Sequence, residues 1–186
     1  MPTSANILLV RHAEKPGSGT DLAPAGQARA QAYVAYFQNY AIGGTPVRPQ
    51  YLFAAADSDN SHRPRLTMEP LAQALGLSIN DKHADKDFAR VAEVLLTHPQ
   101  YNGSNVVVCW HHGEILDLAA ALGASAATLP ASANWPAKWP GDVFGWVLQL
   151  CYDAEGTLIP AQTACLSEQL MYDDCGQQPP GDASST

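Results

Sequence analysis

A chain of 186 residues, of which 46% are hydrophobic and 15% charged, has the composition of a folded globular protein rather than a disordered one. Its formal net charge of −8 argues against a nucleic acid or an anionic membrane as the main partner. The charge does not exclude a phosphorylated small molecule as substrate, because a few cations can dominate the electrostatic potential of one pocket.

The sequence features that report on the cellular compartment predict a cytoplasmic location. No signal peptide is recognisable, and no apolar stretch approaches the length of a transmembrane helix. Cys109 and Cys151 fall within predicted strands, where buried thiols are expected. Cys165 and Cys175 lie in polar sequence and could pair in an oxidising compartment, so the sequence leaves their redox state open. The oligomeric state is likewise not set by the sequence.

Apolar runs predict the secondary structure of the first half of the chain. Residues 7–10 predict a strand that is buried on both faces, as in a parallel sheet. A helix is predicted over residues 24–40, with proline in its first turn. A second strand is expected at residues 51–55, followed by a helix at residues 62–75 that Gly76 terminates.

The second half continues the alternation of strands and helices. Ile79 is placed in a short extended piece, and a helix is expected between residues 80 and 97. Residues 105–110 are strongly apolar and predict a central strand. A helix follows at residues 115–122, and a long loop at residues 125–142.

The last part of the chain is predicted as a hairpin and a tail. A strand at residues 143–152 leads through a turn into a second strand at residues 157–161. Residues 167–186 are polar and are expected to be a loosely ordered tail. Taken together, the alternating elements predict an α/β fold, a three-layer α/β/α sandwich around a mostly parallel central sheet.

Cationic and titratable side chains follow the predicted central strands. Arg11 and His12 come directly after the first strand, Arg63 follows the second, and His111 and His112 follow the strand at the middle of the chain. Parallel strands place their carboxyl ends along one edge of the sheet, where ligands bind in open α/β folds. These side chains therefore predict an anion site, with phosphate as the expected ligand.

Three short motifs follow these predicted strands along the chain. They are Arg11-His12-Ala13-Glu14, Arg63 with Thr67 four residues later and Glu69-Pro70-Leu71 beyond it, and His112-Gly113 after a strand. Motifs of this kind in this order resemble those of the histidine phosphatase superfamily, also called phosphoglycerate-mutase-like. A further segment, Leu22-Ala23-Pro24-Ala25-Gly26, is similar to the start of the family's first helix. The resemblance implies a single histidine-phosphatase-like domain over residues 1–166.

The resemblance also implies the roles of the site residues. Neutral His12 would attack phosphorus and form a phosphohistidine, while Arg11, Arg63 and His112 hold the phosphate. A neutral nucleophilic imidazole keeps one nitrogen bare while the other donates its proton, so we expect a backbone carbonyl as the acceptor for His12. His112 is preferred to His111 because a glycine follows it. The scheme requires no metal and no cofactor.

The general acid that protonates the leaving oxygen is open at this stage. Glu114 is the first choice, because some family members place the acid just after the second histidine. Asp85 and Asp87 are alternatives, and a leaving group of low pKa needs no acid at all. Three further residues are candidates for substrate binding: Lys15, Thr67 and His111.

The leading functional interpretation is a phosphatase that hydrolyses a small phosphomonoester. The alternatives are a phosphohistidine-protein phosphatase and a non-catalytic phosphate-binding module. A mutase is disfavoured, because no large insertion that could form a lid lies between residues 77 and 105. The identity of the substrate cannot be read from the loops.

Overall fold

The computed structural model describes residues 2–180, which form one six-stranded sheet covered by helices on both faces. A small separate hairpin lies after the first helix. The sheet strands are β1 (Asn6–Arg11), β4 (Tyr51–Ala55), β5 (Ile79–His83), β6 (Asn105–Trp110), β7 (Trp146–Cys151) and β8 (Ala164–Ser167), and the hairpin strands are β2 (Ala41–Ile42) and β3 (Thr45–Pro46). The helices are α1 (Pro24–Gln38), α2 (Arg63–Leu75), α3 (Phe88–Thr97) and α4 (Ile115–Ala121).

The strand order of the sheet is β5-β4-β6-β1-β7-β8. β1 pairs in parallel with β6, β6 with β4, and β4 with β5, whereas β7 runs antiparallel to β1 and β8 antiparallel to β7. β1 is therefore a central strand, hydrogen-bonded on both sides, and the carboxyl ends of β1, β4 and β6 lie along one edge. None of the described helices is long and apolar enough to cross a membrane.

Alternate residues of the central strands supply two hydrophobic cores, one on each face of the sheet. Leu8 and Val10 of β1 face the core that contains Tyr33 of α1 and Met68 of α2. Ile7 and Leu9 face the opposite core, which includes Val91 and Leu95 of α3 and Ile115 and Leu118 of α4. Helices thus cover both faces, which confirms the predicted three-layer sandwich around a mostly parallel sheet.

Two predicted elements differ from the structure. Residues 79–83, of which most were assigned to a helix, form the outer strand β5, and α3 begins only at Phe88. The final strand was expected at residues 157–161, but β8 lies at residues 164–167. Within the predicted strand only Leu158 forms a β-bridge, with Tyr152. A 3₁₀ turn that starts at Pro160 then interrupts the pairing, and the strand begins only after this turn. Proline lacks the N–H that a ladder needs.

The segment at residues 168–177 is packed against the domain, in contrast to the loosely ordered tail that was expected from residue 167. Its Glu168 and Asp174 are buried and form ion pairs with Arg29 of α1, whose side chain is 1% exposed. Glu14 makes a third ion pair with Arg29. A buried guanidinium needs partners for its donors, and these carboxylates provide them. Residues 181–186 of the expected tail lie outside the described residues.

The four cysteines within residues 2–180 are all free thiols. Cys109, Cys151 and Cys165 are buried, and Cys175 is exposed. The pairing of Cys165 with Cys175 that the sequence left open is therefore absent from the structure.

The buried charges around Arg29 predict a large loss of stability when this residue is neutralised. Arg29→Met should lower the free energy of unfolding by about 3–5 kcal/mol, because it leaves buried carboxylates without their counter-charge. Arg90→Met is the matched control. Arg90 pairs with Glu93 on the surface, where an ion pair contributes less than about 1 kcal/mol. Urea denaturation measures both, and equal small losses would contradict the role given to Arg29.

Candidate active site

The first motif lies at the carboxyl end of β1, between β6 and β7. Arg11 is the last residue of β1 and pairs with Trp110 of β6, and the His12 N–H donates to the Trp110 carbonyl over 2.9 Å. Both Arg11 and His12 are buried. The apolar run before them anchors the strand in the core, so that these two polar side chains are held at the sheet edge with little freedom.

His12 is a neutral imidazole with one nitrogen engaged. Its Nδ1 lies 2.8 Å from the carbonyl oxygen of Ala13, which can only accept, so Nδ1 carries the proton and Nε2 has a free lone pair. Burial lowers the pKa of His12 to about 3, and the nearby His111, Arg11 and Arg63 add to the shift. The imidazole therefore stays neutral at physiological pH.

The guanidinium of Arg11 is fixed by the loop that precedes β7. Its Nη1 donates to the carbonyl of Val143 over 2.6 Å and to that of Pro140 over 3.4 Å. The ring of Phe144 lies against it, with the Arg11 Cζ 3.8 Å from the ring centroid. The Nε–H of Arg11 is buried and has no hydrogen-bond partner among the described residues.

Arg63 is held by backbone carbonyls in the same way as Arg11. It is the first residue of α2, and its Nη1 and Nη2 donate to the carbonyls of Gly19 and Asn60 over 3.1 and 3.2 Å. Its Nε–H is also buried without a partner in residues 2–180. Burial lowers the pKa of Arg63, as it does that of Arg11, whose pKa falls to about 10. Both side chains remain cations at neutral pH.

His111, rather than His112, contacts the imidazole of His12. The rings of His12 and His111 meet edge to face, with their centroids 5.0 Å apart. Strand register explains this contact, since Arg11 pairs with Trp110 and the next residue of each strand is a histidine. The sequence interpretation preferred His112 because of the glycine after it. The structure instead brings the other histidine, which was a substrate-binding candidate, to His12.

His112 lies at the rim of the site, beside a neighbouring cavity. It lines this cavity of about 480 Å³ together with Lys138 and Trp139. Burial and then the charges of Arg11 and Lys15 lower its pKa, so His112 lies near both cations. Lys15 is exposed. The position of His112 and Lys15 suits contact with the outer part of a ligand more than with an anion at His12.

The candidate acids Glu114 and Asp85 are neighbours. Burial raises the pKa of Asp85 to about 7, and a hydrogen bond to Glu114 and the negative charge of Glu114 contribute. Burial opposes ionisation of Glu114 as well, but hydrogen bonds from Lys86 and Asp85 outweigh it and lower the pKa of Glu114. Asp85 is therefore the carboxyl group that holds a proton near neutral pH. The third candidate, Asp87, is exposed.

Thr67 connects the first two motifs instead of facing a ligand. Its hydroxyl donates to the carbonyl of Arg63 over 2.7 Å and accepts the N–H of Ala13 over 2.9 Å, and the side chain is fully buried. Its one donor is thus used within the protein, so the proposed substrate contact is not available to Thr67. The carbonyl of the same residue accepts the hydrogen bond from His12 Nδ1, so Thr67 helps to position the residue that orients the His12 ring.

Some residues that shape the site were not singled out as site residues from the sequence. Phe144 was predicted as part of a strand but lies in the loop before β7, and its ring centroid is 6.3 Å from that of His12. Gly26 was noted only as part of the similarity to the family's first helix. A Cβ at Gly26 would lie 2.4 Å from the carbonyl oxygen of Glu14, so only glycine lets α1 pack this closely on the first motif. Within residues 2–180 no group of three or more His, Cys, Asp or Glu could hold a metal ion.

No family model and no curated protein matches this sequence. The fold is nevertheless similar to solved structures. The protein histidine phosphatase SixA complexed with tungstate superimposes with a TM-score of 0.58 at 14% sequence identity, covering 93% of this chain and 99% of that one. The putative phosphohistidine phosphatase SixA from Agrobacterium tumefaciens does so with a TM-score of 0.50 at 18% identity, covering 84% and 96% of the two chains.

The described chain therefore has the histidine phosphatase fold, as its motifs predicted. The two SixA structures are among the solved structures that it is similar to, and it matches their chains over nearly their full length. At these identities the likeness concerns the fold, so the chemistry is argued from the residues of the site.

The arrangement predicts different effects for the two adjacent histidines. His111→Ala should weaken the binding of inorganic phosphate by at least about tenfold, because it removes the imidazole that lies against His12. His112→Ala should change the affinity by no more than about threefold. Isothermal titration calorimetry on the folded variants measures both. A larger loss of phosphate affinity in His112→Ala than in His111→Ala would indicate that His112 is the histidine that binds the anion.

Proposed function

We propose that this protein is a phosphatase that hydrolyses a phosphomonoester through a covalent phosphohistidine on His12. The observation that supports the proposal best is a neutral imidazole with a bare Nε2, near two guanidiniums whose Nε–H groups are buried and have no partner in residues 2–180. A phosphoryl group has anionic oxygens for such donors and an electrophilic phosphorus for such a nucleophile.

In the first displacement, the lone pair of His12 Nε2 attacks phosphorus and the bond from phosphorus to the leaving oxygen breaks. Arg11, Arg63 and His111 bind the non-bridging oxygens, on which negative charge is concentrated in the transition state. The Ala13 carbonyl accepts a hydrogen bond from His12 Nδ1–H throughout and stabilises the positive charge that develops on the ring. Donors that are already in place need no reorganisation when the reaction occurs.

The leaving oxygen takes its proton from Asp85. This carboxyl is half-buried beside Glu114 and is protonated below about pH 7. In the second displacement, water attacks phosphorus, the carboxylate of Asp85 accepts its proton, and the bond between phosphorus and Nε2 breaks. Inorganic phosphate and neutral His12 are regenerated. Glu114 acts indirectly, because its negative charge keeps the proton on Asp85.

A phosphohistidine-protein phosphatase is the second candidate. The similar solved structures are described as protein histidine and phosphohistidine phosphatases, and this observation favours a protein substrate here as well. The leaving imidazole of a phosphohistidine departs with less help from an acid than an alkoxide does. The two functions therefore differ in how strongly they depend on Asp85.

The nucleophile predicts a covalent intermediate. During turnover of p-nitrophenyl phosphate, a rapid alkaline quench should preserve a phosphoryl group on His12, detected by peptide mass spectrometry. His12→Ala should abolish hydrolysis while the variant remains folded, and His98→Ala on the surface is the matched control. A phosphoryl group on another residue, or an active His12→Ala variant, would contradict the proposal. An inactive wild type that binds phosphate would indicate the non-catalytic module.

The acid predicts a dependence on pH and on the leaving group. With alkyl phosphates, kcat should fall as the pH rises through about 7, because Asp85 loses its proton there. Asp85→Asn should lower kcat for alkyl phosphates about 10²–10⁴-fold and remove this decline, while aryl phosphates and a phosphohistidine-carrying protein are affected much less.

Two further variants complete this experiment. Glu114→Gln should shift the decline to lower pH, because a neutral neighbour no longer raises the pKa of Asp85. Asp87→Asn is the control and should behave as the wild type. An undiminished alkyl phosphatase activity in Asp85→Asn would exclude Asp85 as the acid.

A further inference from the structure

The segment at residues 168–177, here called the C-terminal strap, is hydrogen-bonded to the loop that leads into β7. The Glu168 N–H donates to the Gly145 carbonyl over 2.8 Å. The side-chain amide of Gln177 donates to the Asp142 carbonyl over 3.2 Å, and Trp146 Nε1 donates to the Gln177 carbonyl over 2.5 Å. The strap thus holds both ends of this loop.

Asp174 is the residue that fixes the strap to the rest of the protein. Its carboxylate accepts two hydrogen bonds from Arg29, over 2.7 and 3.0 Å, and two from the backbone N–H groups of Leu170 and Met171, over 3.0 and 2.9 Å. Arg29 also binds both carboxylate oxygens of Glu14, two residues after the proposed nucleophile. One buried guanidinium therefore joins the strap to the first motif.

The contact between the strap and the loop is close enough to require glycine. A Cβ on Gly145 would lie 2.4 Å from Asp174 Oδ1, a distance that no side chain can occupy. Gly145 and Asp174 consequently fix each other, and a shift of either must move the loop residues next to Gly145.

Those loop residues are the ones that hold Arg11. The Val143 carbonyl accepts a hydrogen bond from Arg11 Nη1, and the Phe144 ring lies against the Arg11 guanidinium. A guanidinium that is clamped on one side presents its remaining N–H groups in a fixed direction, which is what bidentate recognition of an oxyanion requires.

We propose that the C-terminal strap is a positioning element of the phosphate site: through Asp174 it fixes the loop at residues 142–146, and this loop fixes Arg11 for the anion. The inference rests on the proposed function in so far as Arg11 holds phosphate. The strap lies outside the domain that was predicted from the sequence. The inference gives it a role in ligand binding, separate from its contribution to the stability of the fold.

The test is a double-mutant cycle on the binding of inorganic phosphate and tungstate, measured by calorimetry on the full chain. Asp174→Asn should weaken the binding of both anions about tenfold, whereas in the Arg11→Lys background the same change should cost less than about twofold. Loss of stability alone would not produce this coupling. Leu95→Ala, a cavity variant in α3, is the control for stability and should retain wild-type affinity at a temperature where it is folded.

Gly145→Ala disturbs the contact between Gly145 and Asp174 from the loop and replaces Asp174→Asn if that variant does not fold. Unchanged anion affinity in a folded strap variant, or an equal effect with and without Arg11, would overturn the inference. A wild type that binds no anion would overturn it too. The experiment measures anion affinity and not turnover. A protein that binds phosphate without hydrolysing esters would therefore contradict only the proposed function.

Discussion

The hydrogen bond from His12 Nδ1 to the Ala13 carbonyl determines which chemistry the rest of the site can support. It fixes the tautomer and leaves Nε2 bare, and burial next to two guanidiniums keeps the ring neutral. A protonated imidazole could bind an anion but could not attack one. In the proposed mechanism, the cations that bind phosphate thus also keep His12 nucleophilic, because each of them makes a positive charge on His12 unfavourable.

The scaffold around this hydrogen bond consists of backbone carbonyls and buried polar side chains. Carbonyl groups hold the Nη atoms of Arg11 and Arg63, while Thr67 holds the Ala13 peptide from α2. Burying these groups is costly unless each donor has an acceptor, and the structure supplies most of them from loops. The Nε–H groups of the two arginines are among the buried polar groups of residues 2–180 that have no partner, and the anion of the proposed reaction would supply one. The acidic surface charge of the chain is therefore compatible with a cationic pocket.

The parts of the fold that could be predicted from the sequence are those with local signals. The apolar runs before Arg11 and His111 predicted the central parallel strands, and the order of the motifs predicted the histidine phosphatase fold. The choice between His111 and His112 could not be made in this way, because it depends on the register between β1 and β6. The His-Gly motif favoured His112, whereas the strand pairing brings His111 to His12.

Long-range pairings account for the remaining differences. Arg29 and Asp174 are 145 residues apart, and nothing near either one indicates that a buried ion pair will form. For this reason residues 168–177 were interpreted as a tail. Val143 and Phe144 were predicted as the start of a strand, and their contact with Arg11 was not foreseen, because a backbone carbonyl and one ring in a loop become part of the site only when the chain folds against Arg11.

A crystal structure of the protein with bound tungstate tests the central claim most directly. The account predicts one anion within bonding distance of His12 Nε2, with hydrogen bonds from Arg11 Nε, Arg63 Nε and the His111 ring. An anion that is held by His112 and Lys138 in the neighbouring cavity, with Nε2 of His12 out of reach, would contradict it.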